Sequence, residues 1–334
     1  MSHIINEDSE IIFKKINFYR LENKTIIITG ASGLIGTYFL ACLRVIANYV
    51  KGIKVVAIIQ SEPSKEFLDI ANFKDVRIIQ TDITKFDFYQ QLPEADYIIH
   101  AAGYGQPMKF MTNPEKTLML NTSATFHLFH QLNSGGRFLF ISSSEVYSGL
   151  KATIYKEEDI GISNTTHPRA CYIEGKRAGE AICNAYREKG IQAFSARLAH
   201  TYGPSLRTGD QRVIMSFIEK ALNGKIELMD QGTAIRTYCY ISDAVEIMWN
   251  ILLFGTEPIY NVAGHSRTSI GDLAKTIGSQ LNVPVVFPEN NDSISGAPED
   301  VQLDTSKAEN EFKKKDYVSL ADGLKRTINW YKQL

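Results

Sequence analysis

Short runs of β-branched and aliphatic residues alternate along the first half of the chain with longer stretches whose apolar side chains return every three or four positions. The runs are Thr25–Thr29, Lys54–Ile59, Val76–Gln80, Tyr97–His100, Arg137–Ser142 and Ala193–Leu198; between them, Tyr38–Tyr49, Pro114–Leu132 and Ala170–Glu188 have helical spacing. A run that is apolar throughout predicts a strand covered on both faces, and strands separated by helices predict a parallel sheet. The expected fold is therefore doubly wound α/β. After Gly203 the rhythm changes: Pro204–Arg212 reads as a polar loop, Val213–Leu222 as a helix, Ile226–Tyr240 as short strands with turns, Ile241–Phe254 as a helix, and Leu320–Tyr331 as a closing helix. Tyr260–Val262 has the character of a further strand of the main sheet, so a smaller α/β lobe is expected to interleave with the first domain. The expected divisions are an amphipathic extension over 1–23, a main domain over 24–203 with about 238–263, and a lobe over 204–237 and 264–334.

Composition narrows the partners. The 334 residues carry 36 Lys and Arg against 37 Asp and Glu, a net charge of −1. That balance leaves no basic excess to neutralise a phosphate backbone, which argues against a nucleic-acid polymer as partner. The longest apolar stretches are strand-length, well short of the roughly 20 residues a membrane span requires. The opening MSHIINEDSE is polar and acidic and lacks the apolar centre of a secretion signal. Cys42, Cys171, Cys183 and Cys239 show no CxxC spacing, so a cytoplasmic chain with reduced thiols is expected.

The sharpest local signal is TIIITGASGLIG, residues 25–36. An apolar strand runs into Gly30, Ser32, Gly33, Leu34, Ile35 and Gly36, and a helix begins near Leu34. Glycines at this spacing let the backbone turn tightly and approach a pyrophosphate, whose charge the helix N-terminus receives. Such turns predict dinucleotide binding. An acidic residue at the end of the second strand ordinarily grips the adenosine ribose diol. Here that strand ends in Gln60 and Ser61, which can hydrogen-bond a hydroxyl without repelling a 2′-phosphate, so the sequence supports NAD over NADP only weakly.

A second signal is Tyr172 and Lys176 in CYIEGKRAGE, four apart and so on one helix face. A phenol ordinarily loses its proton near pH 10, and an ammonium one turn away would favour the phenolate. The spacing is common by chance; the glycine turn upstream and a strand running into Ser142, Ser143, Ser144 and Glu145 give it weight. His127 and His130 have metal-ligand spacing on a helix but no supporting third ligand, and a packing face explains them better, so no metal is expected. Tyr104, beyond the HAAG strand end, suits a core or a binding pocket equally, and Lys313–Lys315 reads as a solvated face.

TGASGLIG, HAAG (residues 100–103), SSSEVY (142–147) and YIEGK together resemble the extended short-chain dehydrogenase/reductase family, over roughly residues 24–330. The resemblance implies an NAD-dependent enzyme acting on a nucleotide sugar, commonly a homodimer formed through the two helices that hold Tyr172 and residues 114–132. Tyr172 would take the proton of the sugar 4-hydroxyl, Lys176 would lower its pKa and hold the nicotinamide ribose, and Ser143 would bond the reacting oxygen. Ala101, Ala102 and Gly103 would line the cofactor, Asp82 and Ile83 would lie along adenine, and Asn121 would serve structurally. Within the family, PRACYIEGKR (168–177) is most similar to the UDP-glucuronate decarboxylases. In that chemistry, oxidation at C4 makes a β-keto acid that loses CO2, and Glu145 acts at C5. A 4,6-dehydratase usually has Asp where Ser144 stands. Tyr104, Ser144, His200, Arg212 and Arg236 would face the substrate, with Arg236 as pyrophosphate anchor. His200, Val301 and Ser148 stand where the decarboxylases usually carry Asn, a functional Arg and Gly. A dehydratase, a C4 epimerase and a 4-dehydrogenase share the opening step. A non-catalytic NAD-binding regulator is the alternative of a different class, and retention of Ser143, Tyr172 and Lys176 speaks against it.

Overall fold

All six strands predicted in the first half join one parallel sheet. The computed structural model describes residues 2–205, 209–289 and 300–333. In chain order the elements are α1 (His3–Lys15), β1 (Thr25–Thr29), α2 (Leu34–Ile46), β2 (Lys54–Ile59), α3 (Lys65–Ala71), β3 (Val76–Gln80), β4 (Ala95–His100), α4 (Pro107–Thr112), α5 (Pro114–Asn121), α6 (Ser123–Phe129), β5 (Leu132–Ser143), α7 (Ala170–Arg187), β6 (Gln192–Leu198) and β7 (His200–Tyr202). There follow α8 (Val213–Leu222), β8 (Ile226–Glu227), β9 (Ile235–Tyr240), α9 (Ile241–Phe254), β10 (Ile259–Val262), β11 (Ser266–Ser269), α10 (Ile270–Leu281), β12 (Val285–Val286), β13 (Asp300–Val301), α11 (Ser306–Phe312) and α12 (Leu320–Tyr331). The main sheet has seven strands in the order β10-β6-β5-β4-β1-β2-β3, each pair parallel. The chain passes from β1 outward to β2 and β3, then returns to β4 on the other side of β1. That reversal is the switch point at which open α/β sheets bind ligands, beyond the carboxyl ends of the strands.

The unbroken apolarity of β1 has a direct structural cause. Ile26 and Ile28 enter a core shared with α2 and α9, while Ile27 enters a second core with Leu120, Ala124 and Leu128. Both faces of the strand are covered, so neither set of alternate positions tolerates a polar residue. This is the doubly wound α/β fold.

A four-stranded sheet carries the smaller lobe: β7, β11 and β13 all pair with β9. Because β7 follows β6 after a single residue, this sheet starts at the carboxyl end of the main one. β10 returns to pair with β6, as the sequence pattern suggested.

Three details depart from the sequence reading. The helical stretch 114–132 divides: α5 ends at Asn121, Thr122 leaves the helical region at φ −112° and ψ −80°, and α6 stops at Phe129. β5 starts at Leu132, earlier than the apolar pattern showed: Leu132 pairs with Ala95, the polar or small residues 133–136 fall in a register irregularity, and regular pairing resumes at Arg137. Lys314 is no solvated residue; it is buried and its Nζ lies 2.8 Å from Asp243 and 3.0 Å from Glu246. The extension over 1–23 is docked as well. Asp8 of α1 accepts hydrogen bonds of 2.9 Å from both Tyr38 of α2 and Tyr240 of β9, and pairs with Arg326 of α12. One buried carboxylate thus ties the N-terminal helix to elements of both sheets. Burial raises its pKa, and Arg326 with the two hydroxyls opposes that rise.

Candidate active site

Backbone contacts build the glycine turn. Gly30 has φ +66°, and a Cβ placed on it would lie 2.7 Å from the carbonyl oxygen of Ala101 and from the amide nitrogen of Ala102. A Cβ on Gly36 would meet the Gly30 carbonyl at 2.4 Å. Only glycine allows this approach of the β1–α2 turn to the end of β4. Gly33, exposed, is the N-cap of the 13-residue α2 and offers no side chain to its first-turn amides. Ser32, Leu34 and Ile35 complete the turn, half-buried. This is an anion-receiving helix end behind a cradle that a Cβ would fill, and it fits the pyrophosphate of a dinucleotide.

A buried histidine locks the neighbouring Ala101–Ala102–Gly103 segment. His100 Nε2 lies 2.9 Å from the Leu120 carbonyl, which can only accept, so that nitrogen carries the hydrogen. Nδ1 must then accept from Thr29 Oγ1 at 2.7 Å, and the same oxygen accepts from the Ala102 amide at 3.2 Å. Burial holds the His100 imidazole down to about 3, neutral as this chain of bonds requires.

Gln60 is exposed one residue past β2. Asp82, beyond β3, makes an ion pair with Lys116 of α5 and accepts from the Thr84 hydroxyl at 2.8 Å. Burial raises its pKa, but Lys116 and Thr84 together outweigh it and hold the carboxyl below its ordinary value. Ile83 is buried, its carbonyl accepting from Tyr89. Tyr104 packs half-buried against the second core.

The reacting groups meet at the carboxyl end of β5 and the start of α7. Ser143, the last residue of β5, lies close enough to the Tyr172 phenol to favour its ionised form, and accepts from the Glu145 amide at 3.2 Å. The Tyr172 ring stacks on Phe110 of α4, centroids 4.5 Å apart and planes 14° apart. Lys176 follows one turn later, its Nζ 5.7 Å from the centre of the tyrosine ring. It does not rest on the phenol: it donates to the Ile141 carbonyl at 2.7 Å and sits 4.9 Å over Phe140. Burial pushes this ammonium down to about 7, with Glu180 pulling it back up. Burial raises the Tyr172 pKa, Ser143 lowers it, Glu145 raises it, and Arg169 and Arg212 lower it. The sequence reading assigned that lowering to Lys176; here Ser143 and two arginines supply it. Asn121 packs where Gly175 lets α5 and α7 approach closely: a Cβ there would meet its Nδ2 at 3.3 Å.

Charge gathers on the other side of Tyr172. Glu145 pairs with Arg169 at 2.7 Å. Burial raises the Glu145 pKa, and Arg169, His167 and Arg236 oppose it. His200 keeps accessible surface although protein surrounds it; that desolvation, then the charges of Arg236, Arg169 and Arg212, hold it down to about 4. Because the ring retains accessible surface, the charges are the firmer cause. Arg212, the N-cap of α8, is held by Asp210 in a bidentate pair with contacts of 2.6 and 3.0 Å. Ser144 is half-buried in the turn after β5. Val301 pairs by backbone with Arg236 between β13 and β9. Thus Arg212, Arg236, His200 and Glu145 share one electrostatic neighbourhood with Tyr172, whereas Gln60 and Asp82 lie along the far strands β2 and β3. Sequence reasoning left Phe110, like Tyr104, open between core and pocket and gave no role to Arg169 or Asp210; the Arg169–Glu145 pair joins positions 24 apart, which no local pattern signals.

His127 stacks on Tyr89 at 4.9 Å and lies tilted against Phe86 at 4.7 Å. Among the described residues no group of three His, Cys, Asp or Glu could hold a metal ion, and no helix is long and apolar enough to cross a membrane.

The model of the NAD dependent epimerase/dehydratase family matches residues 26–263. UDP-glucuronic acid decarboxylase 6 of Arabidopsis thaliana is 30% identical over 313 residues, spanning 90% of this chain and 87% of that protein. An epimerase from Methanothermobacter thermautotrophicus shares the fold with a TM-score of 0.81 at 20% identity, covering 99% of this chain and 96% of that one. UDP-glucuronic acid 4-epimerase from Bacillus cereus, solved in complex with UDP-glucuronic acid and NAD, has a TM-score of 0.76 at 24% identity, covering 92% and 99% of the two chains.

Proposed function

The chain belongs to the NAD dependent epimerase/dehydratase family, and from that premise we propose that it is a UDP-glucuronate decarboxylase that works through a 4-keto sugar. The observation that carries the reading is Ser143 beside the Tyr172 phenol at the end of β5, with the Glu145 amide bonded to the same serine. The 30% identity to a decarboxylase over most of both chains supports the choice of reaction.

The dinucleotide would be held by the 30–36 turn, Gln60, Asp82, Ile83, residues 101–103, Tyr172 and Lys176. When bound it supplies a hydride acceptor that ends each cycle as it began. The protein's own part concerns protons and charge. Tyr172 takes the proton of the 4-hydroxyl while Ser143 bonds the same oxygen. With a ketone at C4, the carboxyl on C5 is that of a β-keto acid: the bond from C5 to the carboxyl breaks, CO2 departs, and the electron pair passes into the C4 carbonyl as an enolate. Glu145 delivers a proton to C5, and Tyr172 returns its proton to the C4 oxygen as the ketone is reduced. Arg236 and Arg212, with His200 between charges, receive the pyrophosphate. Ser144 is a weak acid toward a departing 6-hydroxyl, which disfavours dehydration.

Incubation with a panel of UDP- and dTDP-sugars, read by product mass and by nicotinamide absorbance, tests the reading. Release of CO2 from UDP-glucuronate without net reduction of NAD supports it. Loss of water identifies a 4,6-dehydratase, a new diastereomer of unchanged mass an epimerase, and stoichiometric reduced nicotinamide a 4-dehydrogenase. No turnover with bound NAD points to a regulator. We also propose a homodimer through the face of α5, α6 and α7, where Leu118 and Phe126 leave large apolar side chains exposed; light scattering measures it.

A further inference from the structure

Arg169 occupies the N-cap of α7, three residues before Tyr172, and its carbonyl accepts from the Tyr172 amide at 3.0 Å. Its guanidinium pairs with Glu145 at 2.7 Å and lies 5.5 Å over the ring of Phe110, the ring that stacks on Tyr172. Its Nε is buried and finds no hydrogen-bond partner among the described residues. The group is therefore held by one carboxylate and one aromatic face, without the several bonds that mark a structural arginine such as Arg197, which bonds Glu180, Tyr147 and two carbonyls.

We propose that Arg169 is a positioning residue: its guanidinium fixes the Glu145 carboxyl beside Tyr172 and governs when that carboxyl carries a proton. The role given to Glu145 at C5 rests on the function proposed above; the control exerted by Arg169 does not. Among the described residues, four titratable or charged groups act on or are acted on by Glu145. Arg169 comes from the start of α7, His167 from the loop before it, Arg236 from β9, and Tyr172 from the first turn of α7. Arg169 is in ion-pair contact with the carboxylate, so at such a distance its influence should be large. Its anchoring on Phe110 also couples the carboxyl's position to the stack that orients the phenol.

The test reads the carboxyl directly in the ligand-free full-length protein. Glutamate labelled with 13C at the carboxyl carbon, with the Glu145 signal assigned by its loss in Glu145→Gln, is titrated in wild type, Arg169→Gln and Arg169→Lys. Removing the cation should raise the Glu145 midpoint by about one pH unit or more, and Lys should restore part of the difference. A midpoint that stays in place in Arg169→Gln, in a variant with unchanged thermal unfolding, overturns the proposal. If Arg169→Gln proves poorly folded, Arg169→Lys alone decides: a point charge without the planar fork should leave the midpoint between wild type and the ordinary buried value, and a wild-type midpoint combined with lost signal dispersion rejects positioning. Solvent deuterium entering C5 of the product then tests the parent reading separately. The pH limb of that incorporation should move up in Arg169→Gln in step with the carboxyl titration. If the titration moves and the limb does not, Glu145 has been given the wrong step and Arg169 keeps its role.

Discussion

The two sides of the active site are built by different means. On the cofactor side, the turn over residues 30–36 and the segment 101–103 meet through backbone: a positive φ at Gly30, a Cβ excluded by the Ala101 carbonyl, and a Thr29–His100 bond chain that fixes the Ala102 amide. On the substrate side, Glu145, Arg169, His200, Arg212 and Arg236 come from the turn after β5, the N-cap of α7, β7, the N-cap of α8 and β9, and meet only as side-chain charges. Backbone construction leaves little to adjust, because a displaced turn breaks the packing of β1 on β4. A charge cluster can exchange one residue without moving the rest. The comparison teaches that the first side is a rigid cradle shaped for a dinucleotide, while the second is where enzymes sharing this fold can diverge in the substrate they transform.

The junction between the two sides gives the largest expected effect. Tyr172→Phe keeps the stack on Phe110 but removes the hydroxyl proposed to move the proton. Turnover should fall by about 10²- to 10⁴-fold, while NAD affinity and unfolding temperature stay close to wild type. Turnover retained within tenfold would separate Tyr172 from the chemistry altogether.

Next in size is a test of the rigid side. Gly30→Ala places a Cβ against two backbone atoms of the Ala101–Ala102 peptide at a left-handed φ. The strain and forced displacement should cost about 2–4 kcal/mol of stability and most of the dinucleotide affinity. Thermal unfolding with and without NAD checks it. A variant of full stability that still binds NAD would show the turn to be as adjustable as the charge cluster.

These sides were unequally legible in the sequence, for the same reason. All determinants of the first turn lie within twelve consecutive residues, so spacing alone revealed strand, turn and helix. β1, β2, β3, α8, α9 and α12 were readable to the residue because periodicity there coincides with burial on one or both faces. The break between α5 and α6 was not readable, since residues 114–132 keep helical apolar spacing straight through Thr122. The polar start of β5 was hidden because Asn133, Ser134, Gly135 and Gly136 look like a turn and fall in a register irregularity between Leu132 and Arg137. Asp8 with Tyr38, Tyr240 and Arg326 spans most of the chain, and Lys314 is buried only because Asp243 and Glu246 on α9 compensate its charge. Such pairs are properties of the topology and have no local signature.

The adjustable side predicts a smaller and purely functional effect. Arg236→Gln removes a cation that helps lower the pKa of both Glu145 and His200, on a strand that packs in the lobe. Loss of one charged hydrogen bond to a pyrophosphate is worth about 1.5–3 kcal/mol, so KM for the nucleotide sugar should rise roughly tenfold or more. The affinity for NAD, held by the other side, should not follow. A parallel loss of NAD affinity, measured by fluorescence titration, would mean that the two sides are coupled through the lobe.

The smallest effect sharpens the one weak point of the cofactor side, the choice between NAD and NADP. Gln60 is exposed just beyond β2 and brings no charge to the ribose diol. The nearest acid in sequence, Glu62, has its carboxylate engaged by the Gln80 side-chain amide at 3.2 Å, which holds it toward the end of β3. Without a fixed anion at the diol, discrimination against a 2′-phosphate should be modest. Gln60→Asp supplies that anion at a solvated position, where like-charge repulsion at contact distance is worth about 1 kcal/mol. NADP affinity should then drop about fivefold relative to NAD, a difference that shrinks with added salt because the site is exposed. If wild type already rejects NADP strongly and the substitution changes nothing, the discriminating charge is Glu62, and its bond to Gln80 must yield when the dinucleotide binds.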